Sequence, residues 1–149
     1  MRRVSVLLMS GLILFVAALW TVTAGAQSRG AAPAAAALAT PAAAKLKNPV
    51  ATSATSVTAG AAAYKKYCAF CHGVDAKGNG PLAPKDSNPP NLTDESWIHG
   101  STDGEIFALI LNGAGGTSKM VGFKGKMPDQ DIWHIVNYLR SLGAKPAER

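Results

Sequence analysis

The five residues at positions 68–72 constrain this chain of 149 residues more than any other stretch. They read Cys-Ala-Phe-Cys-His, and the two cysteines are the only ones in the sequence. A disulfide between them would close a loop too short to stabilise a fold, so the pair has a chemical role. Residues three apart on a helix project from the same side, and the histidine directly follows the second cysteine. This spacing is typical of covalent haem attachment, with Cys68 and Cys71 as thioether donors and His72 as an iron ligand.

Two other uses of a C-x-x-C pair fit the sequence less well. A thiol–disulfide redox pair belongs beside a βαβ pattern, and no strand pattern is present here. A structural zinc site needs four ligands, and the motif supplies three. Either His99 or His134 would have to be the fourth. The prediction is therefore one covalently bound haem c.

The first 26 residues have the features of an export signal. Arg2 and Arg3 precede an apolar run at residues 4–20, and residues 24–26 (Ala-Gly-Ala) form a small-residue cleavage site. The alternative is an uncleaved anchor, because the run is just long enough to span a bilayer. We expect the rest of the chain in the periplasm, either soluble after cleavage or tethered to the inner membrane through residues 4–20.

Residues 27–57 are predicted to be a flexible linker rich in alanine and proline. Residues 29–57 hold 12 alanines, three prolines and no aromatic residue, which leaves too few large apolar groups to offset the entropy cost of ordering. The folded domain then begins at Thr58 and covers residues 58–149. Its core is small, and a large buried apolar cofactor would enlarge it.

Three helices are predicted in this domain, which makes the fold class all-α. The first covers residues 58–70 with Thr58 as its N-cap, the second covers residues 102–111, and the third covers residues 129–142. Between the first two, residues 73–96 are rich in Gly and Pro and show no strand pattern. So long a loop in a small domain makes sense if it wraps a cofactor.

The charge of the chain argues against nucleic acid as a partner. The chain has 15 basic and 9 acidic residues, a formal net charge of +6, but it shows neither a basic stripe nor an aromatic–basic motif. Several lysines lie near the haem motif and near Met120, where they would form a positive surface for an acidic redox protein, or would simply be solvated. They are Lys65, Lys66, Lys77, Lys119, Lys124 and Lys126.

Several motifs, in order, resemble the class I monohaem cytochromes c of bacteria. They are C-A-F-C-H-G at 68–73, P-P-N-L-T-D at 89–94, T-D-G-E-I-F at 102–107 and D-I-W-H-I-V-N-Y-L-R-S-L at 131–142. The resemblance implies a cytochrome c fold, in which three to four helices wrap around one covalent haem. It also implies that the first and last helices cross at Gly60, with Tyr64 and Tyr138 against the crossing.

The resemblance implies a proline next to the axial histidine. The family's proline carbonyl that accepts the histidine Nδ1 proton maps to Pro90, with Pro81 and Pro84 as alternatives. Trp97 is either a donor to a haem propionate, through its indole N–H, or a core residue. His99 is expected to be a loop residue and not a second iron ligand.

The resemblance also assigns the sixth iron ligand to Met120. The family places this methionine three residues before a phenylalanine and eleven before an Asp-Ile-Trp, here Phe123 and residues 131–133. The glycines around Met120 would let its loop fold closely over a flat macrocycle. Met127 is the alternative, because the proline after it imitates the common Met-Pro ligand pair.

These features predict a periplasmic one-electron carrier with a His/Met-ligated haem, and not an enzyme. If protein ligands fill both axial positions, no site is left for a substrate. The alternatives are the cytochrome subunit of a periplasmic dehydrogenase complex and a haem peroxidase, which needs an open iron position. We expect a monomer whose partners are redox proteins, such as a periplasmic dehydrogenase or a terminal oxidase.

Overall fold

The computed structural model describes residues 40–143, and its regular structure is helical. The helices are α1 (Pro41–Lys45), α2 (Ala54–Tyr67), α3 (Ala69–His72), α4 (Asp103–Asn112) and α5 (Asp129–Ser141). Within this range, extended pairing is limited to one isolated bridge between Gly113 and Val121. The predicted all-α fold class is therefore confirmed.

The predicted export signal and anchor, at residues 1–26, lie outside the described residues. Between residues 40 and 143, no helix is long and apolar enough to cross a membrane.

The crossing of α2 and α5 organises the domain. A Cβ atom added at Gly60 would lie 1.9 Å from the backbone oxygen of His134 and 2.8 Å from Cβ of Tyr138. Only glycine therefore lets the two helices approach this closely. The rings of Tyr64 and Tyr138 lie beside the crossing with their centroids 5.3 Å apart. The crossing that the family resemblance implied is confirmed.

The core lies between α5, α4 and α2. The Phe107 and Trp133 rings stack at a centroid separation of 4.1 Å and an interplanar angle of 11°. Ile106, Ile110 and Leu139, which lie on these helices, are all less than 5% exposed. The start of α4 is fixed by a reciprocal capping box between Thr102 and Glu105.

The first long helix begins earlier than predicted. Its N-cap is Ser53, whose side chain accepts a hydrogen bond from the backbone N–H of Ser56 at 3.1 Å, and not Thr58. The helix also breaks at Cys68, and α3 continues from there to His72. The prediction of one helix over residues 58–70 was wrong because nothing between Ser53 and Thr58 stops a helix.

The predicted linker boundary is also corrected, because residues 40–53, which we call the N-terminal strap, pack on the domain. Thr40 caps α1 by accepting a hydrogen bond from the backbone N–H of Ala43 at 3.0 Å. The chain passes so close to α4 that a Cβ atom at Gly104 would lie 2.1 Å from the Ala43 carbonyl oxygen. The strap is therefore part of the folded unit.

Asn137 of α5 holds the rest of the strap. Its Oδ1 accepts hydrogen bonds from Nδ2 of Asn48 at 2.9 Å and Oγ1 of Thr52 at 3.1 Å. Its Nδ2 donates to the backbone oxygen of Val50 at 3.2 Å. Asn137 is buried, so breaking these bonds would leave polar atoms without partners. The prediction of a flexible segment considered only apolar burial and missed this polar attachment.

The last helix begins after Pro128 and has no side-chain cap. Pro128 has φ −60° and ψ 142°, so it lies just outside the helix and not at its first helical position. Asp129 and Asp131 occupy the first turn, where carboxylates are favoured by the helix dipole.

Candidate functional site

The haem motif lies on a single helical turn. The backbone N–H of Cys71 donates to the carbonyl of Cys68 at 3.1 Å, and that of His72 donates to the same carbonyl at 2.9 Å. This turn brings Cys68, Cys71 and His72 to the wall of one cavity. The spacing of the motif therefore has the expected result in three dimensions.

Backbone hydrogen bonds from the loop that follows fix the end of this turn. Gly78 donates to the carbonyl of His72 at 2.8 Å, and Gly80 donates to the carbonyl of Cys71 at 3.1 Å. The hydroxyl group of Tyr64 donates to the carbonyl of Gly73 at 2.8 Å. Burial raises the pKa of Tyr64 far above its ordinary value, and the neighbouring Cys68 adds to the shift. Tyr64 therefore stays a neutral donor.

The cavity has a volume of about 470 Å³, within the roughly 300–1,000 Å³ of cofactor pockets. Its walls come from α2, α3, α4, α5 and two loops, within residues 84–99 and 114–123. Most of its lining is apolar, including Leu92, Ile106 and Phe123. The long Gly- and Pro-rich loop thus forms one wall, as expected for a segment that wraps a cofactor.

All five residues predicted to bind the haem line this cavity: Cys68, Cys71, His72, Pro90 and Met120. A shallower depression of about 500 Å³ lies between the strap and the start of α4. It shares no wall residue with the cavity beside the haem motif and contains none of the five. The cavity beside the haem motif is therefore the candidate site, and its donor set fits a haem.

The cysteines do not have the properties of a redox pair. Burial raises the pKa of the Cys68 thiol to about 12, and the neighbouring Cys71 adds to the shift. Catalytic C-x-x-C pairs instead have a lowered pKa at the attacking thiol. Among residues 40–143, no group of three or more His, Cys, Asp or Glu side chains is placed to hold a metal ion. The thiol-redox and zinc alternatives thus lack a structural basis in the described part of the chain.

His72 is buried, and Pro90 lies beside it. Burial lowers the pKa of His72, while the neighbouring Pro90 backbone opposes the shift. Nδ1 of His72 is buried and makes no standard hydrogen bond to the described residues. Pro90 is nevertheless the proline whose carbonyl acts on His72, whereas Pro81 and Pro84 have no such effect.

Met120 and Met127 occupy different environments. Met120 is half-buried on the cavity wall, and its carbonyl accepts a hydrogen bond from the backbone of Ala114 at 3.1 Å. Met127 is 4% exposed, belongs to the hydrophobic core and does not line the cavity. Only Met120 therefore shares the cavity with His72.

The aromatic wall residues have partners of their own. Trp97 lines the cavity, but its indole Nε1 donates to the backbone oxygen of Asp94 at 3.0 Å, so this donor is already engaged. Tyr67 also lines the cavity and contacts the Phe123 ring edge-on, with centroids 5.9 Å apart. Tyr67 was not among the residues predicted from the sequence to lie at the site, although its position directly before Cys68 was the available signal.

Some of the lysines predicted to form a positive surface are engaged. Lys119 forms an ion pair with Asp86 at 3.3 Å, and both lie at the cavity edge. The ammonium group of Lys126 donates to the carbonyl of Gly122 at 3.3 Å. Such exposed contacts contribute little free energy, so these charges remain accessible to a partner.

Comparison with known proteins agrees with this site. Residues 55–139 match the family described as "Cytochrome C oxidase, cbb3-type, subunit III". The subunit FixP of the cbb3-type oxidase from Bradyrhizobium sp. (strain ORS 278) is 35% identical over 85 residues, which are 57% of this chain and 27% of the relative. The subunit CcoP from Rubrivivax gelatinosus is 34% identical over 79 residues, covering 53% and 23% respectively. The chain spans about a quarter of the length of these relatives.

Solved structures show the same fold. Cytochrome cL from Methylophaga aminisulfidivorans aligns with a TM-score of 0.50 and 25% identity, covering 60% of this chain and 55% of that one. A chain of the Kuenenia stuttgartiensis reducing HAO-like protein complex aligns with a TM-score of 0.58 and 24% identity, covering 65% and 49%. The helical arrangement around the cavity is thus that of the c-type cytochromes.

Proposed function

Since this chain belongs to the family of cytochrome c oxidase, cbb3-type, subunit III, we propose that it is a one-electron carrier with one covalent haem. The observation that carries the proposal is the cavity, on whose wall Cys68, Cys71, His72 and Met120 lie together. The haem would supply a one-electron iron couple.

The residues of the chain have separate roles in this proposal. Cys68 and Cys71 would hold the haem through thioethers, and His72 would bind iron through its imidazole. Met120 would bind iron from the loop within residues 114–123, and methionine ligation raises the reduction potential of a haem. Pro90 would orient the imidazole through its carbonyl, which would fix the ring and tune the iron. With both His72 and Met120 bound to iron, the chain would act as a carrier and not as an enzyme.

A second candidate is a carrier built into a larger complex. The relatives FixP and CcoP are named as subunits of cbb3-type oxidases, and this chain matches about a quarter of each. The present domain would then pass electrons to a terminal oxidase or from a dehydrogenase as a bound subunit. In either role, the apolar run at residues 4–20 and the predicted cleavage site support a location in the periplasm, free or tethered.

The surface beside the haem motif suits a protein partner. Phe70, Val74 and Leu82 are 51%, 78% and 64% exposed, and Leu82 donates to the carbonyl of Phe70 at 2.8 Å. Sγ of Cys71 lies 3.7 Å from the Leu82 carbonyl oxygen, so one thioether would be next to these apolar residues. Exposed apolar side chains on a chain with a formal net charge of +6 fit an acidic redox protein with an apolar centre.

Covalent attachment tests the proposal directly. The full chain is produced with a c-type haem maturation system, denatured and extracted with acid acetone. We expect the wild-type polypeptide to keep its haem and the Cys68→Ala/Cys71→Ala double variant to lose it. The variant Ala62→Ser, at an exposed position of α2, serves as a control and should keep it. Release of the haem from the wild-type chain would contradict the proposal.

A further inference from the structure

A second histidine lies on the wall of the haem cavity. His99 lines the cavity, and its Nδ1 is buried without a hydrogen-bond partner. Across residues 40–143, Nδ1 of His72 is the other buried side-chain nitrogen or oxygen in this condition. A buried polar atom without a partner costs free energy, so such an atom on a cofactor cavity points to a group of the cofactor. In the proposed function, His72 would bind the iron and be oriented by the Pro90 carbonyl, whereas His99 has no assigned partner.

Two other polar groups on the wall are engaged with the backbone. Nε1 of Trp97 donates to the backbone oxygen of Asp94 at 3.0 Å. Oγ of Ser87 donates to the carbonyl of Pro84 at 2.7 Å. A haem carries two carboxylate groups, and a buried carboxylate needs hydrogen-bond donors. The Nδ1–H of His99 is a buried donor that can meet this need.

The backbone around His99 is held rigidly. Gly100 has φ +87°, and a Cβ atom there would lie 2.4 Å from the carboxyl carbon of Glu105 in the α4 capping box. Arg140 of α5 donates to the carbonyl of Ser101. The short segment that carries His99 is therefore fixed to both α4 and α5, and its imidazole meets a bound group in a defined place.

We propose that His99 donates a hydrogen bond from Nδ1 to a haem propionate, and that it is a positioning residue for the haem. The inference rests on the proposed function, since it needs the haem in the cavity. The donor partly neutralises the propionate. Its loss leaves more uncompensated negative charge near the iron, which favours the ferric state and lowers the reduction potential.

Two substitutions of His99 separate the donor from the packing. His99→Leu removes the donor and keeps an apolar side chain, whereas His99→Asn keeps an N–H donor near the position of Nδ1. The control is His134→Leu, because His134 contacts Oγ of Ser56 at 2.8 Å and does not line the cavity. Reduction potential and the propionate bands of the resonance Raman spectrum are measured on the haem-loaded proteins.

We expect His99→Leu to lower the one-electron redox equilibrium constant about threefold, which is about 28 mV at 59 mV per tenfold. Its propionate bands should shift, while His99→Asn and His134→Leu keep the wild-type potential and bands. In the wild type, transfer to D₂O should shift a propionate band, which tests the hydrogen bond even if His99→Leu carries no haem. Unchanged bands in His99→Leu or in D₂O, or equal effects of Leu and Asn, would overturn the proposal.

Two other results have separate meanings. A wild-type ferric spectrum that lacks the weak long-wavelength band of methionine ligation, together with its appearance in His99→Leu, would make His99 an iron ligand and overturn the propionate role. A wild-type chain without covalent haem would instead contradict the proposed function, since the potential and Raman measurements both begin from haem-loaded protein.

Discussion

Replacing Met120 and Met127 by alanine separates ligation from packing. Met120 lines the haem cavity, whereas Met127 is 4% exposed in the core. Met120→Ala should abolish the weak long-wavelength ferric band. It should also lower the reduction potential by at least about 59 mV, a tenfold change in the one-electron equilibrium. Met127→Ala should leave both nearly unchanged, because no cavity contact is lost.

The effects on thermal stability should have the opposite order, with the larger fall in Tm in Met127→Ala. Truncating a buried methionine to alanine costs about 2–5 kcal/mol. Taking about 3 kcal/mol and about 4–8 °C per kcal/mol for a domain of this size, Met127→Ala should lower Tm by about 12–24 °C. Met120 is only half-buried, so the loss of side-chain packing in Met120→Ala should cost at most about half as much.

The assay combines redox titration with thermal unfolding of the haem-loaded proteins. Met120→Ala should lose the ferric band and have the lower reduction potential. Met127→Ala should show the larger fall in Tm. If Met127→Ala removed the band and lowered the potential while Met120→Ala did neither, the assignment from the cavity wall would be wrong. The Met-Pro pattern would then have been the better guide.

Three further predictions concern the frame and the surface of the domain. Asn137→Ala should lower the free energy of unfolding by about 2–4 kcal/mol, because several hydrogen bonds to the strap are lost. Limited proteolysis should then cleave residues 40–53 faster in the variant; equal protection in variant and wild type would show that other contacts hold the strap. Tyr64→Phe removes the hydrogen bond to the Gly73 carbonyl and should lower the free energy of unfolding by about 1 kcal/mol below about pH 10. The difference between variant and wild type should shrink at higher pH. The sign follows because the folded-state pKa of Tyr64 is raised, so its contribution is complete below the unfolded pKa and is lost as pH rises toward the folded value; urea unfolding at several pH values checks this, and a cost that grows with pH would refute it. Electron transfer to the natural acceptor should slow as ionic strength rises from about 10 to 150 mM, where the screening length falls from about 30 to 8 Å, and a flat rate in stopped-flow mixing would remove the lysine surface from docking.

Much of the fold and of the attachment chemistry could be predicted from the sequence. The C-x-x-C-H spacing is a local property, because a single helical turn decides which side chains project together. The capping box at Thr102 and the end of α5 near Gly143 were likewise readable from residues three or four apart. The crossing at Gly60 was available through the resemblance, and the structure gives its reason in the close approach of the His134 backbone.

For the strap, the local amino-acid composition led to a wrong prediction. Residues 40–53 have few large apolar groups, so they were predicted to be part of a flexible linker. Whether a polar segment is ordered depends on partners far along the chain, and here Asn137 lies 89 residues beyond Asn48. The spacing of residue types along the chain does not reveal such a contact.

Identifying the residues of the haem cavity required both the sequence and the tertiary structure. Residue types and spacing along the chain determine which groups are chemically able to bind a haem, since thiol, imidazole and thioether chemistry belongs to each side chain alone. Only the tertiary structure decides that Met120 and His99 face the cavity while Met127 joins the core. The reason is that burial and side-chain neighbours depend on how distant loops and helices pack, and this packing is a property of the whole folded chain.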